Sequence, residues 1–319
     1  MSNNNENGNE NGNENGGIIA ICGDHKFNRA DRLEIFNDTV SKINSSPDLQ
    51  ESIKQSIENT KIYPAGKSIK INETSHLSES YRHIPVLLNA TTVEATLFFK
   101  EDNPDKKVGI LNFASATNPG GGVTKGANAQ EESLCRVSTL YQCLNSPVVM
   151  DGFYNPNRKS GDSLHTDTCI YTPDVAIIKS DRAVTLNKPV YVDVISCSAP
   201  NLRDKPSNNY NPGDKTRVNI NDDELLDLHI KRADQIFRVA IDNGINILIA
   251  GAFGCGAFKN NPRIVAKAFN SITEKYIDYF DLVVYAIPTK VRYIGGAKDT
   301  DPNYKAFFDE LFPEETLSK

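Results

Sequence analysis

Residues 111–132 read LNFASATNPGGGVTKGANAQEE, an apolar run that ends in three consecutive glycines and then an acidic segment. Upstream, Val108 to Phe113 is the β-rich run of a strand. Downstream, Leu134, Val137, Tyr141 and Leu144 recur on one helical face, which predicts a helix from Ala129 to Leu144. The stretch is therefore a strand, a glycine turn and a helix start. Lacking Cβ atoms, Gly120, Gly121 and Gly122 can take positive φ and let a ligand lie against bare N–H groups, although a plain flexible loop also explains three glycines. Glu131 and Glu132 suit a first helical turn, where acids complement the dipole and Asn128-x-x-Glu131 forms a capping box. Adjacent helical residues point about 100° apart, so only one needs to cap. The other can project over the glycine turn and exchange a proton with a bound sugar.

A second glycine turn, Gly251-Ala-Phe-Gly-Cys-Gly-Ala-Phe258, follows the strand Ile245 to Ala250 and precedes a helix opened by Asn261-Pro262. This context lets backbone amides receive phosphate oxygens, and close strand-to-helix packing explains it as well. Ligands of open α/β sheets sit beyond the strand carboxyl ends, so two such turns together fit a dinucleotide-sized ligand with a pyrophosphate.

The remaining pattern alternates. One or two helices run from Arg29 to Ser56, and short strands are expected at Ser68 to Ile71 and Thr92 to Phe99. Further strands are expected at Val175 to Ile178, Val190 to Ser196 and Leu282 to Ile287, with helices at Asp222 to Asp242 and Asn303 to Leu311. These predict a mixed or mostly parallel sheet covered on both faces, within one domain over residues 17–319. Residues 1–16 repeat Asn-Glu-Asn-Gly and hold no aliphatic residue after Met1, which predicts a disordered tail.

The 319 residues are 39% hydrophobic and carry 35 Lys and Arg against 41 Asp and Glu, a net charge of −6. The tail holds three of those acids, so the body is nearly neutral. A broad basic nucleic-acid surface is disfavoured, direct sequence-specific DNA binding is not expected, and a polyanionic ligand must be held locally. The six cysteines form no CxxC and the five histidines no HExxH, so neither a metal site nor a cofactor is expected. The polar opening and the lack of a long apolar run predict an intracellular protein, cytoplasmic or nuclear, without membrane insertion.

Gly120-Gly-Gly-x7-Gln130-Glu-Glu132 resembles the signature of bacterial-type poly(ADP-ribose) glycohydrolases, which are macrodomain-fold enzymes. Cys135-Arg136, Tyr171-Thr-Pro-Asp-Val175, Ser198-Ala-Pro-Asn201 and Gly254-Cys-Gly-Ala-Phe258 extend the likeness from Arg29 to Leu311. The resemblance implies a three-layer α/β/α macrodomain-like fold with additional N-terminal helices. It also implies that Glu132 is the catalytic acid and that Glu131 positions the ligand ribose. Gly120 to Val123 would shape the catalytic loop, and Asn118, Gln130 and Asn112 would be ligand-site residues. The backbone of Gly254, Cys255, Gly256 and Ala257 would hold a diphosphate, with Phe258 against the terminal ribose or the adenine side. The implied reaction cleaves ribose–ribose O-glycosidic bonds of poly(ADP-ribose), with ADP-ribosylated proteins as the other substrate class. A module that binds ADP-ribose without cleaving it, and a hydrolase that removes ADP-ribose from protein or nucleic acid, would use the same pocket.

Overall fold

Neighbouring residues of one strand face opposite sides of a sheet, so a strand that is apolar throughout needs cover on both. The computed structural model describes residues 27–67, 69–71, 84–206, 217–289, 292–294, 297–299 and 301–313. Helices α1 (Arg29–Asn44) and α2 (Pro47–Glu58) lead into strands β1 (Lys61–Tyr63) and β2 (Val86–Leu88). Then come α3 (Thr92–Asp102), β3 (Val108–Phe113), α4 (Gln130–Val137), α5 (Leu140–Leu144), α6 (Pro147–Val149) and α7 (Asn155–Ser160). A long hairpin of β4 (Cys169–Lys179) and β5 (Thr185–Cys197) precedes α8 (Asp222–Asp242), β6 (Ile247–Ala250), α9 (Pro262–Tyr276) and β7 (Leu282–Ala286). A small hairpin of β8 (Arg292–Ile294) and β9 (Ala297–Asp299) comes before α10 (Pro302–Leu311).

Strands β1 to β7 form one mixed sheet in the order β1-β4-β5-β3-β6-β7-β2, in which β4 alone runs against the others. Val194, Ile110, Ile249 and Val284 lie in one register row and share a core with Phe36 of α1, Val93 of α3, Leu134 of α4 and Leu140 of α5. The residues that follow three of them, Ile195, Leu111 and Tyr285, face the other way. They pack with Ile236 and Phe237 of α8, Phe269 of α9 and Phe307 of α10. The layers are helix, sheet, helix, as expected, and the parallel strands β5, β3, β6, β7 and β2 release their carboxyl ends along one edge.

Several local expectations need correction. Thr92 to Phe99 is a helix, not a strand, because Thr91 caps it: its Oγ1 accepts from Glu94 N at 3.1 Å, and Glu94 Oε2 accepts from Thr91 N at 3.0 Å. The helix expected from Ala129 to Leu144 is two helices. Ser138 is extended and bridges Ile177, and Thr139 N donates to Ala176 O at 3.0 Å, so β4 takes these residues out of the helical ladder. Residues 69–71 form no strand, and Ser68 is outside the described residues. The edges are instead β1 and β2, three residues each and too short to show an alternation. The break between α1 and α2 falls at Ser46-Pro47, where Ser46 caps the second helix. Residues 1–16, Cys22, His25, His76 and His83 also lie outside the described residues. Among the described residues no helix is long and apolar enough to cross a membrane.

Candidate active site

Beyond the carboxyl ends of β3, β5, β6 and β7 lies an open cleft of about 1450 Å³. One wall begins with Gln130, whose amide knits the start of α4 to the end of β3. Its Oε1 accepts from Phe113 N at 2.9 Å, and its Nε2 donates to Leu111 O at 2.8 Å and to Thr92 Oγ1 at 3.1 Å. That anchorage fixes where the next two residues point.

Glu132 takes the capping role that the sequence suggested for Glu131. Helix α4 begins after Ala129, not Asn128, so Glu132 is the third helical residue and its Oε2 accepts from Ala129 N at 2.9 Å. Its Oε1 accepts from Gly122 N at 2.9 Å and so ties the glycine loop to the helix. Glu131 is held from the other side, with Oε2 accepting from Ser115 N at 2.8 Å and Oε1 facing Asn112 Nδ2 at 3.4 Å. Both carboxyls converge beneath Gly121. That residue has φ +60°, and a Cβ on it would lie 2.5 Å from Glu132 Oε1 and 3.1 Å from Glu131 Oε2. Only glycine fits there.

The glycine loop is not the row of bare amides that its sequence suggested. Gly121 N donates to Asn118 O at 2.9 Å, and Gly122 N is engaged by Glu132. Its glycines serve close approach of backbone to carboxylate. The bare amides belong to the second turn, where the N–H groups of Gly256, Ala257 and Phe258 donate to none of the described residues. Successive amides of this kind make a concavity for an anion. Asn260 fixes the turn from below by donating to Gly254 O at 3.1 Å and Pro200 O at 2.8 Å, while its Oδ1 meets His229 Nε2 at 2.9 Å.

Electrostatics separates the groups further. Burial pushes the Glu131 carboxyl well above the usual carboxylate range, the Ser115 amide opposes this, and the charge of Glu132 adds to it. Burial also raises the Cys255 thiol to about 12, which leaves it protonated and unsuited to act as a nucleophile.

Of the expected site residues, Asn118, Gly121, Gly122, Gln130, Glu131 and Glu132 line the cleft from the first turn, and Gly254, Gly256, Ala257 and Phe258 from the second. Four do not line it. Asn112 is buried behind Glu131, Gly120 packs toward Tyr141 and Cys135, Val123 belongs to the core, and Cys255 N is taken by Ala252 O at 3.2 Å. The cleft adds residues that the sequence did not single out as site residues, among them Arg158, His165, Arg203, Asp301 and Asn303. Asn201 is a further lining residue, and its Ser198-Ala-Pro-Asn201 segment was the visible signal, since it leaves strand β5 at the cleft edge.

The microbial-type PARG catalytic-domain family, the poly(ADP-ribose) glycohydrolases, matches residues 31–180. The solved poly(ADP-ribose) glycohydrolase of Deinococcus radiodurans in complex with ADP-ribose is 30% identical with a TM-score of 0.67, and the match covers 81% of this chain and 96% of that one. The chain belongs to this family. The glycohydrolase of Thermomonospora curvata is 26% identical with a TM-score of 0.69, over 88% of this chain and 99% of that chain. Its complex with the inhibitor ADP-HPD is 28% identical with a TM-score of 0.67, over 87% and 98%. No protein with curated annotation matches the chain. Membership in the microbial-type glycohydrolases makes the sheet and its cleft macrodomain-like, as the glycine signature implied.

Proposed function

We propose that the chain hydrolyses the ribose–ribose O-glycosidic bonds of poly(ADP-ribose) and releases ADP-ribose, with Glu132 as general acid and then general base. The observation that carries this reading is the convergence of two carboxyls beneath Gly121, in the same cleft as the unpaired amides of Gly256 to Phe258. The amides receive the diphosphate, which places the terminal ribose over the acids. Glu132 protonates the leaving ribose oxygen while positive charge develops at the anomeric carbon, and the ligand's own diphosphate offsets part of that charge. The carboxylate then takes a proton from the attacking water. One carboxylate serves both steps, unlike the two-carboxylate glycosidase scheme. Glu131 positions the ribose.

One observation favours exchanging the two roles: Glu131, not Glu132, is the carboxyl that burial keeps protonated to higher pH. In a coupled pair the proton belongs to both groups, so substitution decides where its removal matters. Glu132→Gln should lower ADP-ribose release at least about 10² to 10⁴-fold. Gln can accept only one of the two amides that Glu132 now accepts, so some stability is lost as well, about 1 to 3 kcal/mol. ADP-ribose binding measured on the same preparation separates lost chemistry from a lost loop, and it should survive. Near-normal release from Glu132→Gln with abolished release from Glu131→Gln would exchange the roles. Near-normal release from both would remove the pair from the reaction. Poly(ADP-ribose) and an ADP-ribosylated protein, assayed side by side, give the substrate preference.

A further inference from the structure

His165 is held in a way that an ordinary loop histidine is not. Its φ is +61°, in the left-handed region that L side chains rarely occupy. The Arg232 guanidinium, with none of its surface exposed, enforces that backbone. It donates to Leu164 O, to His165 O at 3.2 Å and to Ser198 O at 2.9 Å, and pairs with Asp167 at 3.1 Å. Strained conformations that the surroundings over-determine in this way concentrate at ligand sites. The ring lies 5.9 Å from Phe258, which the Arg203 guanidinium also approaches at 5.9 Å. All three line the cleft.

The ring's protonation follows from its partners. Nδ1 stands 2.9 Å from Ala199 O, and a carbonyl only accepts, so Nδ1 carries the proton. Burial lowers the pKa to about 4, so the imidazole is neutral and Nε2 presents a lone pair. Among the described residues nothing donates to that lone pair. It repels phosphate oxygens and takes an N–H or O–H.

Sheet order says which part of a ligand meets it. From one side the strand exits run β5, β3, β6, β7. The glutamates follow β3, the unpaired amides follow β6, and Ala199, which fixes the imidazole, follows β5. The β6 turn leans toward β5, since a Cβ on Gly254 would lie 2.5 Å from that of Ala199. A diphosphate on the amides with its glycosidic end at the glutamates therefore directs the terminal ribose toward β5 and the adenosine toward β7.

We propose that His165 is a specificity-determining residue of this cleft, whose Nε2 accepts a hydrogen bond from a hydroxyl of the terminal ribose while Phe258 packs beside it. The inference rests on the reading of the cleft under Proposed function. The test compares the affinities of ADP-ribose and ADP, which lacks the terminal ribose, on each protein. His165→Asn retains a side chain suited to positive φ and an N–H for Ala199 O, and removes only the acceptor at the Nε2 position. It should weaken ADP-ribose roughly tenfold and leave ADP unchanged. His165→Gln extends an amide oxygen to the place of Nε2 and should restore the preference for ADP-ribose. With the melting temperature of each variant matching wild type, equal loss for both ligands, or loss for neither, would overturn the inference. A folded wild-type protein that fails to bind ADP-ribose would overturn the reading of the cleft itself, and this inference with it.

Discussion

Glu131 has a carboxyl that folding holds protonated to a higher pH than an exposed glutamate reaches, and this links the site to stability. Its folded pKa lies above the unfolded value of about 4.3. The group's contribution to stability is therefore full below that value and is lost as pH rises through the folded one. Glu131→Gln is neutral at every pH. Its oxygen still accepts from Ser115 N, and its amide meets Asn112, whose buried Oδ1 has no partner among the described residues and turns to receive it. The melting temperature of the variant relative to wild type should rise between about pH 5 and about pH 8. Parallel melting curves across that range would show that Glu131 is ionised without cost. Substituting Glu132 does not test this, since its two oxygens hold two backbone amides and their loss disturbs the loop directly.

Among the elements, α3 shows where pattern and structure part. Thr92, Val93 and Thr96 are residues of strands by propensity, which suggested one. The Thr91-x-x-Glu94 box overrode that propensity. Thr91→Ala should cost about 1 kcal/mol, read as a lower denaturant midpoint, with the slope of the transition unchanged. An unchanged midpoint would mean that packing alone holds the helix. The same contrast governs what the sequence made legible. Runs with a long period or a strong cap, such as Asp222 to Asp242 and Asn261-Pro262, were readable because their signals are local. The split of α4 from α5 was not, because it comes from Ala176 and Ile177 some forty residues away. In the site, both glycine turns and both glutamates were readable from a compact motif. His165 was not, since its strain and its bond to Ala199 exist only once β5 and the loop before β4 meet. The glycine triplet was read as bare amides for a ligand, but Gly121 N is taken by Asn118 O and Gly122 N by Glu132 Oε1, acceptors that exist only once the loop has folded onto α4.

For the molecule as a whole, charge balance decides how an anion is held. The described cleft is lined by four cationic residues, Lys125, Arg158, Arg203 and Lys259, and by four acids, Glu131, Glu132, Asp181 and Asp301. Over the whole chain the formal charge is −6. Neither the cleft nor the body offers the excess of positive charge that draws a polyanion by counterion release, which would make affinity fall steeply with salt. The amides of Gly256 to Phe258 act instead through fixed dipoles at contact distance, inside the range where screening by mobile ions is weak. ADP-ribose affinity should therefore change by less than about threefold between 50 and 200 mM salt. A loss of about tenfold or more over that interval would transfer the diphosphate from the amides to Arg158, Arg203 and Lys259. Replacing those three singly in the same titration would then identify which of them carries the slope.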